Sequence, residues 1–215
     1  MVHARGMQAV VPLLDAPPAV PVGAVLLAAG RGERFRAAGG GDKLSARLPD
    51  GTPVALAALR RLRAALGPAA PVTAVVREGR DDLAAALREA GARIVVSARA
   101  ARGMGASLAD ALASWPEDRA VIVALADMPA VGADTLGAVR DALAGGASIA
   151  RPRHRGEAGH PVGFAPCWLP ALRALDGDQG ARQLVAAHRE VVRWIDADDD
   201  PGCRLDIDRP SDLAV

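Results

Sequence analysis

The sequence has very few aromatic residues and almost no lysine. Aromatic side chains account for 2% of its 215 residues, and tyrosine and asparagine are absent. Of the 26 basic residues, 25 are arginine, and the only lysine is Lys43. In a chain that uses arginine everywhere else, one retained lysine indicates a position that needs a compact ammonium group rather than a planar guanidinium. The alternative is that Lys43 was retained by chance in a chain of biased composition.

The chain also lacks a charge imbalance and has little cysteine. A formal net charge of +1 gives no global electrostatic reason for a nucleic acid or membrane partner. Two cysteines, Cys167 and Cys203, are too few for a disulfide framework or a four-cysteine zinc site. We therefore expect neither a nucleic acid nor a membrane as partner. The low cysteine content favours a reducing cytoplasmic location.

No apolar run is long enough to cross a membrane or to form a signal-peptide core. The opening stretch has some apolar character, but Asp15 and prolines at positions 12, 17, 18 and 21 interrupt it. We expect residues 1–21 to form a disordered leader. Residues 22–215 are then expected to fold as a single domain, because this length is enough for one sizeable core.

Apolar runs alternate with segments of helical spacing. The runs lie at 22–28, 72–76, 94–96 and 121–126, and they lack the polar alternation of a half-exposed strand. Leucines with helical spacing follow at positions 56, 59, 62 and 66, at 83 and 87, and at 108 and 112. A fourth helix begins near Asp134 and ends at glycines 145 and 146, and a later helix covers 179–188. Strands are expected at 148–151, 161–164 and 191–195. The pattern predicts an α/β fold, a Rossmann-like three-layer sandwich with a mostly parallel sheet.

Ligands of such sheets bind beyond the carboxyl ends of the strands, and the first of these ends is rich in glycine and basic residues. It reads LAAGRGERFRAAGGGDK from Leu27 to Lys43. Glycines let backbone N–H groups approach an anion, so this composition suits a polyphosphate cradle; an ordinary glycine-rich surface loop is the alternative. The dinucleotide fingerprint fails because Phe35 stands where its third glycine belongs. The Walker pattern fails because Lys43 is followed by Leu44.

Acidic residues follow the fourth strand and recur near the C-terminus. Asp127, followed by Met128 and Pro129, is well placed to hold Mg²⁺ against substrate phosphates. Its alternative role is a helix N-cap, but Asp134 is better placed for that. Asp206 and Asp208 alternate, so both would lie on one face and either could be a second ligand. For Asp206, a turn closed by Ser211 is nearly as good an explanation.

Two further segments suit substrate binding. Gly103 and Gly105 stand at a helix start, where free N–H donors and Ser107 on the first turn can contact the polar edge of a base. A flexible connection is the alternative. The stretch 151–164 holds three arginines and two histidines, which suit an anionic second substrate. A zinc site at the histidines is disfavoured because no further ligands stand at the usual spacing. Asp178 is a candidate cap of the following helix.

In their order along the chain, these segments resemble the molybdenum cofactor cytidylyltransferase and guanylyltransferase group, MobA-like members of the nucleotidyltransferase superfamily with a GT-A-like fold. The resemblance extends from Val22 to Leu213. It rests on LAAG with Arg34 and Lys43, RGMGAS from Arg102, DMP from Asp127, GHPVGF from Gly159, GDQGAR from Gly177 and DID from Asp206.

The resemblance implies that a phosphomonoester attacks the α-phosphate of an Mg²⁺-bound nucleoside triphosphate and releases pyrophosphate. Arg34, Lys43 and Asp127 would be catalytic, and Asp127 and Asp208 would hold the metal. His160, Asp178 and Arg182 would face the acceptor. The nucleotide would be held by Leu27, Ala28, Ala29, Gly30, Arg31, Gly32, Lys43, Gly103, Gly105 and Ser107.

The base and the acceptor follow from the same resemblance. Cytidylyl members resemble this chain in having LAAG, whereas guanylyl members have LAGG, and the methyl group of Ala29 would disfavour a larger purine. We expect CTP as donor and molybdopterin as acceptor, with a molybdoenzyme or its chaperone as a candidate partner. Open alternatives are guanylyl transfer, an acceptor that is a sugar phosphate, polyol phosphate or phospholactate, and a non-enzymatic nucleotide-binding accessory. The insertion at 37–41, and Ser97 where asparagine is common, depart from the family pattern.

Overall fold

The computed structural model describes residues 19–178 and 180–214. The expected leader therefore falls almost entirely outside the described residues. Its last residues contact the folded chain, because the Val20 N–H donates to Ala144 O at 3.2 Å and Pro21 O accepts from Ala120 N at 2.9 Å. The first strand begins at Val22.

Strands and helices alternate through the first two thirds of the chain, close to the predicted positions. The elements are β1 Val22–Ala28, α1 Glu33–Ala37, α2 Val54–Leu66, β2 Val72–Arg77, α3 Asp81–Glu89, β3 Arg93–Ser97, α4 Met104–Leu112, β4 Ala120–Leu125, α5 Ala133–Ala144, β5 Ile149–His154, β6 Glu157–Ala158, β7 Val162–Phe164, α6 Leu169–Arg173, α7 Gly180–Ala187 and β8 Val192–Asp196.

These strands form one 8-stranded sheet in the order β3-β2-β1-β4-β7-β5-β6, with β8 pairing with β5. Strands β1 to β4 pair in parallel, as do β5 and β8, whereas β7 is antiparallel to β4 and β5, and β6 is antiparallel to β5. In the register of β1 and β4, Leu27 lies opposite Leu125. The loops that follow these two strands therefore start side by side.

Helices cover both faces of the sheet, as predicted for a three-layer sandwich. Alternate residues of β1 contribute to separate cores, since Ala24 and Leu26 pack with α2, α3 and α5, while Val25 packs with α4, α6 and α7. The continuous apolar runs are explained by this burial on both faces. Among the described residues, no helix is long and apolar enough to span a bilayer.

The expected N-cap at Asp134 is wrong. Helix α5 starts at Ala133, its N-cap residue is Gly132, and Asp134 lies in the first turn. There its carboxylate interacts favourably with the positive end of the helix dipole without capping an N–H group. Residues 205–208 do not form a strand, so the argument that alternation places Asp206 and Asp208 on one face is also wrong.

Candidate active site

The loop after β1 is anchored by one buried aromatic residue. Phe35, in the short helix α1, is 2% exposed and packs with Val54 and Ile207. Gly40 lies against the Phe35 ring, where an added Cβ would come within 2.3 Å of it. The glycine insertion therefore folds back over Phe35. Ile207 also donates its N–H to the Asp127 carbonyl at 2.9 Å.

The contact between Phe35 and Ile207 brings together the charged residues that stand next to them in the sequence. Arg34 precedes Phe35 and Asp208 follows Ile207, and Arg34 Nη1 donates to Asp208 Oδ2 at 2.6 Å. Arg34 is exposed at the rim of the site, whereas Asp208 is partly buried. The C-terminal segment thus places a carboxylate beside the first loop.

Lys43 lies between two carboxylates. Its Nζ donates to Asp127 Oδ2 at 2.6 Å and to Asp208 Oδ1 at 3.4 Å, and 11% of its side chain is exposed. Burial lowers the pKa of Lys43, but the charges and hydrogen bonds of Asp127 and Asp208 outweigh it, so that the pKa is raised. The lysine is therefore charged at neutral pH, and its ammonium group lies within reach of the Asp127 and Asp208 carboxylates.

The converging carboxylates fit a divalent cation. Partial burial, and after it the negative charge of Asp208, raise the pKa of Asp206. No three histidine, cysteine or acidic side chains form a ready metal cluster in the described part of the chain. Mg²⁺ commonly takes one or two carboxylates and completes its shell with phosphates and water, so the donors at Asp127 and Asp208 suit it.

A first cavity of about 500 Å³ opens above these charges, at the carboxyl ends of β1 and β4. Most of the residues predicted to bind nucleotide contribute to its wall. They are Leu27, Ala29, Gly30, Arg31, Gly32, Lys43, Gly103 and Ser107. Asp127, which was predicted as a catalytic residue and metal ligand, also lines the cavity, as do others that include Met104 and Asp178. An added Cβ on Gly30 would meet nothing within 4 Å. The fold itself therefore does not require glycine there.

Two residues predicted to bind nucleotide do not line this cavity. The Ala28 side chain is fully buried in the core on the face of α2, α3 and α5. The Gly105 N–H, expected to be free for a ligand, donates to Gly177 O at 2.9 Å. The start of α4 is thus fastened to the loop before α7, and only part of it can contact a ligand.

The close contact between the start of α4 and the loop before α7 requires glycine at position 103. Its φ is +128°, and an added Cβ would lie 2.3 Å from Asp178 Oδ1. The Ser107 hydroxyl lies 3.3 Å from Gly103 O and bonds back within the helix. Ser97 does not line the first cavity, and its Oγ donates to Asp110 Oδ2 at 2.6 Å.

A second cavity of about 590 Å³ adjoins the first and shares Leu27, Met104, Leu125 and Asp178 with it. The predicted acceptor residues His160, Asp178 and Arg182 all line this second cavity. Burial and then the charge of Arg151 lower the pKa of His160 to about 4, with Asp127 partly opposing the shift. His160 is therefore neutral at neutral pH.

The basic side chains of residues 151–155 do not all face the second cavity. Arg151 lines the second cavity, whereas Arg153 pairs with Asp196 at the surface. His154 is buried and hydrogen bonded to Ala197 O at 3.0 Å. Sequence reasoning did not single out Arg151, because strand alternation alone could not show which arginine faces the site. It also missed Met104, whose exposed side chain lies on the wall shared by both cavities.

Solved structures resemble this chain along most of its length. The crystal structure of Rv0371c from Mycobacterium tuberculosis H37Rv has 29% identity and a TM-score of 0.72, over 90% of this chain and 95% of that one. A complex of Rv0371C with manganese has 29% identity and a TM-score of 0.69, over 90% and 96% of the two chains.

Two more distant structures share the fold. A nucleotidyl transferase from Methanothermobacter thermautotroptrophicus has 22% identity and a TM-score of 0.73, over 89% of this chain and 94% of that one. Molybdopterin-guanine dinucleotide biosynthesis protein A from Archaeoglobus fulgidus has 19% identity and a TM-score of 0.58, over 88% and 94%. Comparison with functionally curated proteins yields no match.

The sequence itself matches a family model. The model describes the MobA-like NTP transferase domain and matches residues 24–191. This range includes most of β1, all of β2 to β7 and the residues that line both cavities, Lys43 among them. Strand β8 and the segment that supplies Asp208 lie beyond the C-terminal end of the match. The chain belongs to the MobA-like NTP transferase family.

Proposed function

We propose that this nucleotidyltransferase moves a CMP group from CTP to a phosphorylated acceptor, molybdopterin, and releases pyrophosphate. The observation that carries the proposal is the position of Lys43 between Asp127 and Asp208, at the first cavity and beside a second one. Such an arrangement suits a reaction between two phosphate groups that enter from adjacent cavities.

The chemistry requires placement and charge neutralisation rather than covalent participation by the protein. An oxygen of the acceptor phosphate forms a bond to the α-phosphorus of CTP, and the bond from that phosphorus to the bridging oxygen breaks, so that pyrophosphate leaves with the electron pair. Lys43 and Arg34 neutralise the triphosphate. Mg²⁺, held by Asp127 and Asp208, would supply further charge neutralisation and orient the phosphates.

The nucleotide occupies the first cavity in this proposal. Gly30 and Gly32 let the phosphates approach the backbone, with Arg31 beside them. The start of α4, with Gly103 and Ser107, faces the base and ribose. Ala29 is 8% exposed and lines the cavity, and its methyl group favours a pyrimidine over a larger purine. His160, Asp178 and Arg182 face the acceptor in the second cavity.

A pyrophosphate-release assay tests the donor and the acceptor. With Mg²⁺ and molybdenum-loaded molybdopterin, we expect release to be fastest with CTP among the four nucleoside triphosphates. Preference for GTP would overturn the cytidylyl assignment. Faster turnover of a sugar phosphate, polyol phosphate or phospholactate would overturn the acceptor. Removal of divalent ions with EDTA should stop turnover, and Mg²⁺ should restore it.

Variants separate an enzyme from a nucleotide-binding accessory protein. Lys43→Ala and Asp127→Asn should each reduce pyrophosphate release by about 10²–10³-fold. Asp141→Asn is a matched control, because Asp141 is exposed and pairs with Arg140 outside both cavities. Full turnover in either site variant would refute that residue's role. CTP binding without pyrophosphate release in the unaltered protein would support an accessory role instead.

A further inference from the structure

Cationic side chains engage most of the carboxylate oxygens that a divalent cation would use. Lys43 Nζ donates to Asp127 Oδ2 at 2.6 Å and lies 3.4 Å from Asp208 Oδ1. Arg34 Nη1 donates to Asp208 Oδ2 at 2.6 Å. Among the described residues, Asp127 Oδ1 is the one oxygen of these two carboxylates that accepts no hydrogen bond from a cationic side chain. The aspartates cannot serve both sets of partners at full strength, because positive charges that share an oxygen repel each other.

Burial distinguishes Lys43 from Arg34 in how firmly each holds its partner. The exposed fraction is 11% for the Lys43 side chain and 23% for that of Asp127, whereas 81% of the Arg34 side chain is exposed. Ion pairs between exposed side chains contribute little because water screens them, and a shielded pair attracts more strongly. Lys43 is therefore the main obstacle to a cation at Asp127, and Arg34 is a minor one.

The main chain next to Lys43 is held in place, so only the lysine side chain has room to change partners. Leu44 is buried, and its carbonyl accepts a hydrogen bond from Ala55 N at 3.1 Å. The four-carbon stem of lysine rotates about several bonds. Lys43 lines the first cavity together with Gly30 and Gly32. Rotation of its stem would bring the ammonium group to phosphates bound along these glycines.

We propose that Lys43 and a divalent cation compete for Asp127 and Asp208, and that a bound triphosphate opens this metal site by drawing the Lys43 ammonium group away. Lys43 exchanges carboxylate oxygens for phosphate oxygens, and no covalent bond changes. The inference rests on the proposed function in one respect, that a nucleoside triphosphate occupies the first cavity. It follows that the protein binds the cation weakly by itself and more tightly beside a donor nucleotide.

Mn²⁺ binding, followed by the EPR signal of the free ion, tests the competition without nucleotide. Mn²⁺ and Mg²⁺ both favour carboxylate oxygens. Lys43→Met removes the charge and keeps the length of the side chain. It should tighten Mn²⁺ binding by about 10–100-fold, the range that corresponds to one hydrogen bond to a charged group. Arg34→Met should tighten it by about 5-fold at most, because its ion pair is exposed.

Arg153→Met is the matched control for the loss of one positive charge elsewhere in the protein. Arg153 pairs with Asp196 at the surface, so this variant should bind Mn²⁺ as the unaltered protein does. Equal tightening in Lys43→Met and Arg153→Met would reduce the effect to net charge and overturn the proposal.

The lysine itself reports on the exchange, because Lys43 is the only lysine in the chain. Protein grown with lysine that carries an NMR-active carbon isotope gives one Cε resonance for this residue, and no variant is needed. With EDTA present, CTP should shift this resonance as the ammonium group moves from carboxylate to phosphate oxygens. GTP is the second probe.

Each measurement is able to overturn the proposal. Mn²⁺ binding to Lys43→Met that is no tighter than to the unaltered protein would do so. A Lys43 resonance that neither CTP nor GTP shifts would also do so, and this test remains if Lys43→Met does not fold. A shift with GTP but not with CTP would support the exchange and refute only CTP as the donor. Because both measurements omit the acceptor, a failure of molybdopterin turnover would leave them unaffected.

Discussion

The surroundings of Lys43 suit a compact ammonium group better than a guanidinium group. Its ammonium group is nearly enclosed and lies within reach of two carboxylates. A guanidinium is larger and planar, and it presents its donors in a fixed fork rather than around one nitrogen. The composition bias against lysine elsewhere in the chain is consistent with a steric requirement here.

Exchange of Lys43 for arginine tests that requirement. We expect Lys43→Arg to fold but to lose about 10²-fold in pyrophosphate release, because charge alone does not reproduce the contacts to Asp127 and Asp208. Turnover and melting temperature would be measured together. Arg153→Lys, the reverse exchange outside both cavities, should leave both unchanged. An active Lys43→Arg would mean that only the positive charge matters.

His160 makes the stability of the protein depend on pH. Its pKa of about 4 in the folded state lies below the value of about 6.5 in an unfolded chain. The unfolded state therefore binds more protons as the pH falls below 6.5, and folding is weakened until the pH reaches about 4. By linkage the loss amounts to about 3 kcal/mol in the free energy of unfolding.

Urea unfolding at pH 7 and pH 4 measures this effect. In His160→Gln the decrease in unfolding free energy between the two values should be smaller by about 3 kcal/mol. His188→Gln, which removes an imidazole outside both cavities, controls for the loss of a histidine. An identical pH dependence in His160→Gln and the unaltered protein would show that this imidazole is not buried in the neutral form.

At the scale of elements, a glycine after strand β1 and a glycine at the start of helix α4 have different structural surroundings. Gly30 has open space around its Cα, whereas Gly103 has a positive φ and lies against the loop before α7. The first is free to approach a ligand. The second allows two loops to pack closely.

Alanine at each position distinguishes these roles. Gly30→Ala should leave the free energy of unfolding within about 0.5 kcal/mol of the original, but raise the KM for CTP. Gly103→Ala should lower the free energy of unfolding by about 2 kcal/mol or more, because of backbone strain and the clash with Asp178. Denaturant unfolding and steady-state kinetics measure the two effects. A strongly destabilised Gly30→Ala would contradict the assignment of Gly30 to the ligand.

The strands and helices were predictable because their burial produces recognisable apolar patterns in the sequence. Strands buried on both faces give continuous apolar runs, and helices buried on one face give apolar residues at helical spacing. Strand β1 coincides with the apolar run from Val22 to Ala28, and the leucines of α2 mark its buried face. The insertion of antiparallel β7 between β4 and β5 was not predictable. Strand order depends on contacts between distant parts of the chain, and a short strand such as Val162–Phe164 has too few residues to specify its partners.

In the candidate site, too, the residues placed by regular strands were predictable, whereas a residue placed by a long-range contact was not. Residues just after β1 and β4 were predicted to meet because parallel strands end at one edge, and the structure places Ala29 and Asp127 in one cavity wall. Asp208 lies in an irregular segment whose position depends on the packing of Ile207 against Phe35. Such a long-range apolar contact leaves no periodic pattern. The resemblance to a family, rather than spacing, identified that residue.

For the molecule as a whole, the two cysteines report on the integrity of the fold. Cys167 is exposed and Cys203 is buried, and burial, followed by the charge of Asp200, raises the pKa of Cys203. In the native protein, a thiol reagent should label one cysteine rapidly; in denaturant it should label two. Cys167→Ser should then show almost no rapid labelling. Rapid labelling of both native thiols would contradict the packing of Cys203 beneath Gly159.

The contact between Ile207 and Phe35 has a consequence for how this protein can diverge. The C-terminal part of the chain supplies one side of the second cavity through β5, β7 and α7, and the same part places Asp208 beside Lys43. A recombination event that replaced this part would therefore also remove the carboxylate of Asp208 from its position beside Lys43. Under the proposed function, changes of acceptor are therefore expected to arise by point substitution within this C-terminal part, rather than by its exchange as an independent module.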